Sequence, residues 1–243
     1  MDIEAQSPQW DDRTRRLIGD EATDRLSATH VLVVGVGGVG GYAAEILLRS
    51  GIGRLTLVDA DTVALSNLNR QLIATRSTIG EAKATLFADR FRDINPDAEV
   101  RSLVEFVTPE NIPDILSAEF DYVVDAIDTV APKVALIAEC IRRKIPIISS
   151  MGAGGRVDPT KCGYFDLWDT REDGLARAVR QRLKKIGLRR SLTVVASTES
   201  PHTSSLIMTE STNKRSSYGT LASIPAVFGI LLANHVLRKT GGF

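Results

Sequence analysis

The chain of 243 residues carries 30 basic and 30 acidic side chains, and 43% of its residues are hydrophobic. This length and apolar content suffice for one large α/β domain with a substantial core. The balanced charge excludes a globally basic nucleic-acid-binding protein, although it is compatible with a local basic patch. Two cysteines exclude a disulfide framework and an all-cysteine zinc site, so we expect a reducing, cytoplasmic location.

The first part of the chain alternates between short apolar runs and helical spacing. The runs read HVLVVG, RLTLVDA, AEVRSLV, DYVVDAID and IPIISS. Helical spacing lies between them at residues 39–50, 81–94, 109–116 and 132–144. Because this alternation is typical of βαβ units, we predict an α/β fold with a doubly wound, mostly parallel, Rossmann-like sheet. In such sheets ligands bind beyond the carboxyl ends of the strands.

The second half follows a different pattern. A strand CGYFDLW, a helix at residues 173–186 and a strand SLTVVAS are predicted in that order. The polar stretch at residues 197–220 is expected to be a mobile loop. Proline, glycine, asparagine and histidine interrupt the apolar run at residues 218–237, so a buried helix is favoured over a membrane span.

A glycine-rich turn follows the first apolar run. Gly35, Gly37 and Gly40 fit the pattern G-x-G-x-x-G, and Gly38 adds another glycine. Glycine lets the backbone approach phosphate, and a helix N-terminus offers free N–H groups to it. Asp59, at the end of the next strand, can accept hydrogen bonds from ribose hydroxyls. On its own, this motif favours an NAD-dependent dehydrogenase over other nucleotide-binding proteins.

The residues that follow favour a triphosphate instead. Carboxylate, amide and cationic side chains cluster after the second strand at Asp61, Asn67, Asn69, Arg70, Gln71 and Lys83. Arg70 can form two hydrogen bonds with phosphate oxygens, and Lys83 can place positive charge where an α-phosphate is attacked. Asp128, at the end of the fourth run, can hold a magnesium ion that bridges phosphates. Taken singly, each residue also fits a turn, a surface ion pair or a helix cap.

The motifs GxGGxG, DxD, NLNRQ, GxxK and DAIDT resemble the ATP-binding domain of the ubiquitin-activating, ThiF and MoeB-like adenylating enzymes. In that family ATP is cleaved at the α-phosphate to make an acyl adenylate. The resemblance implies ribose binding by Asp59, phosphate contacts from Asn67, Arg70 and Lys83, and magnesium at Asp128.

The change of pattern after the fifth apolar run indicates two functional parts of the chain. Residues 1–155, with an N-terminal helical arm, are expected to form the Rossmann-like ATP-binding core. Residues 156–243 are expected to form a substrate-binding extension that packs on this core within one continuous domain.

The cysteines distinguish branches of the family. Some members pass the acyl group to a catalytic cysteine, and many activators of bacterial sulfur carriers hold a four-cysteine zinc site. Cys140 lies beside the apolar stripe of a predicted helix and is expected to be structural. Cys162 has no histidine or basic pair beside it in the sequence. Without a convincing thiol, the adenylate must be attacked by a group on the substrate or by a free partner.

Segments along nearly the whole chain, including VTPEN, KIPIISSMGAGGRVDPT and VVASTES, resemble the tRNA threonylcarbamoyladenosine dehydratase branch. This resemblance implies that the carboxylate of the modified adenosine is adenylated and that the neighbouring carbamoyl group closes a ring and expels AMP. The alternative is activation of the C-terminus of a ubiquitin-like sulfur-carrier protein. A third hypothesis is an NAD oxidoreductase or a nucleotide-binding module without chemistry.

Two segments are candidates for contact with a tRNA substrate. After the fifth strand, Gly154 and Gly155 would let the backbone approach the modified base, and Arg156 could meet its carboxylate. Residues 171–190 are strongly basic, and the helix within them places Arg177, Arg180 and Lys184 as candidate phosphate contacts. A solvated helix face is the alternative interpretation of this basic segment.

The N-terminal arm suggests a homodimer. In relatives an N-terminal arginine reaches the phosphates in the partner subunit, and Arg16 is the candidate here, with Arg13 and Arg15 as alternatives. A sulfur-transfer protein is a further candidate partner, and no membrane association is expected.

Overall fold

The computed structural model describes residues 9–208 and 216–243. The strands are β1 (His30–Val34), β2 (Arg54–Val58), β3 (Glu99–Leu103), β4 (Tyr122–Asp125), β5 (Ile147–Ser150), β6 (Cys162–Asp166), β7 (Thr193–Ser197), β8 (Leu206–Met208) and β9 (Ser216–Tyr218). The helices are α1 (Asp12–Ile18), α2 (Asp20–Ala28), α3 (Gly40–Arg49), α4 (Lys83–Ile94), α5 (Ile112–Ile115), α6 (Val130–Arg143), α7 (Gly174–Lys185) and α8 (Ser223–Gly241). Short 3-10 turns lie at Leu65–Asn67, Arg76–Thr78, Pro159–Lys161, Leu167–Asp169 and Thr203–Ser205.

Seven strands form one sheet in the order β3-β2-β1-β4-β5-β7-β6. All neighbours pair in parallel except β6, which is antiparallel to β7 at the edge. The order reverses between β1 and β4, where Val34 pairs with both Val58 and Asp125. A crevice for a ligand opens at such a reversal in a doubly wound sheet. The predicted α/β class is therefore confirmed.

Side chains of the central strands alternate between two layers of helices. Val31 and Val33 of β1 pack with α3, α4 and α8, whereas Leu32 and Val34 pack with α5 and α6. The strand is apolar on both faces because both faces are covered. A third cluster joins α6 and α7 to β7. Beyond residue 156, β6 and β7 thus extend the same sheet, whereas β8 and β9 form a separate pair. The proposed boundary at residues 155/156 stays a prediction.

The structure differs from the sequence-based expectations at two places. The helix predicted at residues 109–116 is reduced to one turn, α5, which carries Pro113 near its start. In a helix beginning at residue 109, Pro113 would lie beyond the first turn, where proline removes a hydrogen bond and clashes with the preceding turn; near the start of α5 it is tolerated. In the polar stretch at residues 197–220, β8 and β9 form an antiparallel pair instead of an irregular loop. Residues 209–215 of that stretch lie outside the described residues.

The apolar C-terminal run forms α8, which packs on α3 and the sheet. The two helices approach closely at Gly229, where a Cβ atom would lie 2.5 Å from the Val39 carbonyl oxygen. Within residues 9–208 and 216–243, none of the helices has the length and apolar character needed to cross a membrane. The sequence-based preference for a buried helix over a span is consistent with this placement.

Candidate functional site

A cavity of about 1140 Å³ opens at the carboxyl ends of β1, β2 and β4. Most of the residues that the sequence singled out lie in its wall, although they come from distant segments. These wall residues are Gly35, Gly37, Gly38, Asp59, Asp61, Asn67, Asn69, Arg70, Gln71, Lys83, Asp128, Gly154 and Arg156. The parallel register brings them together, because consecutive strands end at one edge of the sheet.

The glycine-rich turn forms the floor of one end of this cavity. Gly35 has φ of 84° and a Cβ there would lie 3.0 Å from the Ala126 carbonyl oxygen. A Cβ at Gly40 would lie 1.8 Å from the Gly35 carbonyl oxygen, so neither position tolerates a side chain. Gly40 begins α3 and is buried behind the wall. The turn therefore presents backbone at Gly37 and Gly38, as a phosphate-binding loop requires.

Asp59 joins the glycine turn to the loop after β2. Its Oδ2 accepts the Val36 N–H at 2.8 Å, and its Oδ1 accepts the Asp61 N–H at 2.8 Å. Burial raises the pKa of this carboxyl, while the two N–H donors and the Lys83 charge act in the opposite direction. The carboxylate is thus held in a fixed orientation at the end of β2, where the ribose of a nucleotide lies in this fold.

The NLNRQ segment forms a second wall. The buried Asn67 side chain accepts the Ala64 N–H at 3.0 Å, and Asn69 donates to the Thr220 carbonyl at 3.0 Å. Arg70 donates to the Ser66 carbonyl at 2.8 Å and to the Asn69 side chain at 3.0 Å. The segment is therefore ordered by its own amides and by contact with the residues after β9.

Gln71 shows an unsatisfied polar atom in this wall. Its side chain is 8% exposed, and its Oε1 is buried without a hydrogen-bond partner among the described residues. Buried polar atoms of native proteins almost always have a partner. Because this oxygen is itself closed off, a ligand could reach it only after the Gln71 side chain moved, and a binding role for Gln71 stays a prediction.

Lys83 enters the cavity from the first turn of α4. Its side chain is 4% exposed and its Nζ lies 2.8 Å from Asp61 Oδ2, whereas the Asp61 side chain is 68% exposed. The Asp61 carbonyl also accepts the Lys83 N–H. The ammonium group is thus already desolvated and steadied by a carboxylate that faces solvent. A cation prepared in this way interacts strongly with phosphate because little water screens it.

Asp128 lies in the turn between β4 and α6 and lines the same cavity as Lys83. Its side chain is exposed. The described residues contain no group of three or more histidine, cysteine, aspartate or glutamate side chains that could hold a metal by itself. Magnesium bound to a nucleotide commonly takes one or two carboxylates and completes its shell with phosphates and water. The exposed Asp128 carboxylate in this cavity wall fits that requirement.

The far end of the cavity is built around Arg156, which is 3% exposed. Its guanidinium donates to the carbonyls of Gly152, Gly154, Glu172 and Glu199 and to the Asp173 carboxylate. Four backbone acceptors and one carboxylate leave this group fully engaged within the chain. The structure therefore gives Arg156 an organising role, and direct contact with a substrate carboxylate stays a prediction.

The two glycines before Arg156 occupy different positions. Gly154 lies in the cavity wall, whereas Gly155 is buried behind it. A Cβ at Gly155 would lie 2.9 Å from the Tyr218 ring, and Gly155 hydrogen bonds to Gly219 and His202 through its backbone. Gly155 thus fastens the residues after β9 to this loop, and the structure does not bring it into the wall with Gly154.

The three predicted basic residues of α7 differ in their exposure to solvent. Arg177 and Lys184 are exposed, whereas Arg180 is half-buried and donates to the Leu167 and Thr170 carbonyls and to the Thr170 hydroxyl. Arg180 thus ties α7 to the turn after β6. The N-terminal end of α7 lies in the cavity wall at Asp173, Gly174 and Leu175. The exposed basic residues extend away from the site from that end.

Arg16 does not line this cavity in the chain's own fold. It is exposed on α1, a helix with no buried residue. Its neighbour Arg15 pairs with Asp11, Asp20 and Asp24. Contact between Arg16 and a nucleotide therefore requires a partner subunit and stays a prediction.

Neither cysteine has the surroundings of a nucleophile. Cys140 is fully buried on α6, and burial raises the pKa of its thiol to about 12. Burial also raises the pKa of the half-buried Cys162 thiol, although the Ser197 hydroxyl and the Arg156 charge act in the opposite direction. Reactive cysteines have lowered pKa values, so these thiols agree with the expectation of a reaction without a covalent thioester.

Sequence reasoning missed several residues of the site. Phe106 and Tyr218 lie in the cavity wall, and Phe106 is 52% exposed. Asp173 lies there too, accepts the Gly152 N–H at 2.9 Å and caps α7 through the Ala176 N–H at 2.8 Å. An Asp four residues before the basic helical run is a recognisable N-cap signal. The positions of Phe106 and Tyr218 depend on loops that carry no such signal.

A doubly wound sheet with a glycine-rich turn, an aspartate after β2 and a buried lysine in one cavity defines a nucleotide-binding α/β protein. The sequence model of the ThiF family matches residues 12–243, and the chain belongs to the ThiF family.

Sequences of known proteins align with this chain over nearly its whole length. The tRNA threonylcarbamoyladenosine dehydratase of Escherichia coli (strain K12) is 41% identical, with 96% of this chain and 95% of that protein covered. The Bacillus subtilis (strain 168) protein of the same name is 40% identical, with 93% and 92% covered. The crystal structure of the E. coli protein, TcdA, in complex with ATP is similar with a TM-score of 0.89 and 39% identity, covering 100% of this chain and 98% of that chain.

Proposed function

We propose that this protein is an ATP-dependent tRNA threonylcarbamoyladenosine dehydratase that works through an acyl adenylate. One observation carries the proposal: a single cavity joins the glycine turn at Gly37 to the Gly154 loop and the start of the basic helix α7. Its volume of about 1140 Å³ exceeds the roughly 300–1,000 Å³ of ordinary small-molecule pockets. The space therefore suits ATP and a modified nucleoside side by side.

In the first step a carboxylate oxygen of the nucleoside attacks the α-phosphorus of ATP. An O–P bond forms, the bond to the β-phosphate breaks, and pyrophosphate leaves. Lys83 and Arg70 stabilise the charge that develops on the phosphate oxygens, and the backbone at Gly37 and Gly38 supports the phosphates. Asp59 holds the ribose, while Asn67, Asn69, Asp61 and Gln71 complete the nucleotide contacts.

In the second step the carbamoyl group attacks the activated acyl carbon, a ring closes, and AMP departs with the former carboxylate oxygen. The carbamoyl group loses a proton, so the net change in the nucleoside is loss of water. Both reacting groups belong to one small substituent, so the enzyme mainly positions them. The loop held by Arg156 and the N-terminal end of α7 form the wall at which this positioning takes place.

Magnesium is the cofactor proposed beside ATP. Asp128, with its exposed carboxylate in the cavity wall, would hold the ion together with the phosphates. When bound, magnesium neutralises phosphate charge and polarises the phosphoryl group.

The tRNA is proposed to lie along α7. Seven basic side chains of this region are exposed: Arg171, Arg177, Arg182, Lys184, Lys185, Arg189 and Arg190. Because α7 starts at the cavity wall, phosphates bound along it would lead towards the modified base. Each phosphate contact would add to the salt dependence of binding.

A homodimer completes this proposal. The exposed Arg16 lies on a helix that has no fully buried residue in its own chain, and the neighbouring Leu17 is 84% exposed. An arm of this kind suits contact with a second copy, in which Arg16 would reach the phosphates. A sulfur-transfer protein partner is proposed on the sequence resemblance, and a cytoplasmic location on the low cysteine content.

The decisive experiment is mass analysis of tRNA nucleosides. Incubation of tRNA bearing threonylcarbamoyladenosine with ATP, magnesium and this protein should give a nucleoside lighter by one water, together with AMP and pyrophosphate. An unchanged nucleoside mass would contradict the dehydratase assignment. Pyrophosphate exchange that depends on a carrier protein ending in Gly-Gly, and not on tRNA, would instead support activation of a sulfur carrier.

Replacement of Arg156 by lysine tests the organising role of this residue. We expect Arg156→Lys to lower tRNA-dependent turnover about 10- to 100-fold, because one ammonium group cannot span acceptors from three segments and the loop shifts relative to the nucleotide. ATP affinity should change little, because the nucleotide contacts lie at the other end of the cavity.

Arg143→Lys is the matched control. Arg143 also donates to backbone carbonyls, at Leu116 and Pro113, but it lies outside the cavity wall. Single-turnover rates and ATP dissociation constants of both variants would be compared with the unsubstituted protein. Normal turnover in Arg156→Lys, or an equal loss of ATP affinity, would contradict the proposed role.

A further inference from the structure

A cluster of buried polar side chains lies beneath the nucleotide cavity. Lys133 Nζ lies 2.6 Å from Asp125 Oδ2, and both side chains are 0% exposed. Ser149 donates its hydroxyl hydrogen to Asp125 Oδ2 at 2.6 Å and accepts from Lys133 at 3.0 Å. The cluster links the end of β4, the first turn of α6 and β5. None of these three residues belongs to the cavity wall.

Burial of such a pair requires an explanation other than stability. Removing two charges from water is costly, and well-packed apolar residues often replace a buried ion pair with no loss of stability. Complete burial also prevents any contact with a ligand. The role of this ion pair must therefore lie in the neighbouring residues that it holds in place.

The cluster holds the turn at residues 126–129. The second carboxylate oxygen of Asp125, Oδ1, accepts the Ile127 N–H at 3.0 Å. This bond fixes the course of the backbone as it leaves the sheet. The turn then places Asp128 in the cavity wall and the Ala126 carbonyl against Gly35 of the glycine turn. A shift of this turn would displace two parts of the nucleotide site together.

We propose that Asp125, Lys133 and Ser149 are positioning residues that fix the turn at residues 126–129 and thereby set Asp128 and the glycine turn for ATP. Lys133 neutralises Asp125 and holds it in the orientation that binds the Ile127 N–H. Ser149, on β5, forms hydrogen bonds with both partners and so restricts their movement. The proposal rests on the proposed function only for the identity of the nucleotide.

The test uses the paired variant Asp125→Leu/Lys133→Met. Replacing both charges by apolar groups of similar size should preserve the fold but removes the acceptor for Ile127. We expect a thermal unfolding midpoint near that of the unsubstituted protein. The dissociation constant for ATP with magnesium, measured by calorimetry without tRNA, should rise about tenfold.

Glu45→Gln is the matched control. Glu45 is also a buried carboxylate in ion pairs, with Arg49 and Arg90, but it lies outside the cavity wall. It should lose stability without a change in ATP affinity. An unchanged ATP dissociation constant in the folded paired variant would overturn the proposal.

If the paired variant does not fold, Ser149→Ala decides. A weakening of ATP binding in the same direction supports the proposal, and unchanged binding overturns it. Because the measured quantity is the ATP dissociation constant without tRNA, the test is independent of the dehydratase assignment. A protein that binds ATP but leaves the tRNA nucleoside unchanged would contradict the assignment, while the binding comparison between variants would still test the positioning role.

Discussion

Replacing Lys83 by alanine is expected to lower the rate of adenylate formation about 10²- to 10³-fold, the loss typical when one preorganised charge-stabilising group is removed. Lys83 is 4% exposed and lies in the cavity wall, so its charge acts where little water competes. The fold should persist because the partner left behind, Asp61, is 68% exposed and is hydrated once the lysine is gone.

The measurement is pyrophosphate release in a single turnover with excess enzyme, combined with thermal unfolding. Lys239→Ala is a matched control, because this lysine is exposed in the last turn of α8 and lies outside the cavity wall. Turnover of Lys83→Ala within a fewfold of the control would show that Lys83 does not act on the phosphates. Loss of the folded state would show instead that the Lys83–Asp61 pair is structural.

Asp61→Asn tests whether Asp61 acts only by holding the Lys83 ammonium group in place. If Asp61 only steadies Lys83, the variant should keep part of the activity, because the amide oxygen can still accept a hydrogen bond from the ammonium group.

The central strands of the sheet could be predicted because apolar residues dominate them, as in β1 and β4. Val31 to Val34 face helices on both sides, so burial on both faces removes any polar residue from that segment. The nucleotide residues could be predicted for a related reason. Gly35 and Asp59 belong to short motifs at strand ends, and parallel register brings consecutive strand ends together.

The far end of the cavity could not be predicted in the same way. Arg156 meets carbonyls at residues 152, 154, 172 and 199, and no local pattern encodes a contact between segments that far apart. The basic helix shows the same limit. Arg177 and Arg180 are the same residue type on the same helix. Arg180 donates a hydrogen bond to the turn at Leu167–Asp169, whereas Arg177 is exposed to solvent, and only the position of that turn determines the difference.

The buried cluster beneath the site illustrates a third limit. Lys133 lies within an otherwise apolar stretch of α6, and Asp125 ends an apolar strand. Sequence patterns alone suggest that charged residues face solvent. Their burial follows only from the crossover that brings the first turn of α6 over the ends of β4 and β5.

Replacing Asp128 by alanine is expected to lower turnover about 10²-fold or more, because a magnesium ion that has lost its protein ligand is less well placed to stabilise charge on the phosphates. Asp128 is exposed at the turn before α6, so the fold should tolerate the change. Asp128→Asn should be impaired as well, since a neutral amide oxygen binds magnesium more weakly than a carboxylate.

The measurement is turnover as a function of magnesium concentration, with Asp93→Ala, an exposed change on α4 outside the cavity wall, as control. We expect Asp128→Ala to need more magnesium for half-maximal rate and to stay slower at saturation. An unchanged magnesium profile would assign the ion to other ligands. If Asp128→Ala changes the magnesium dependence of turnover and Lys83→Ala does not, the two residues act on different parts of the nucleotide. The comparison therefore tests whether both residues act on one phosphate group.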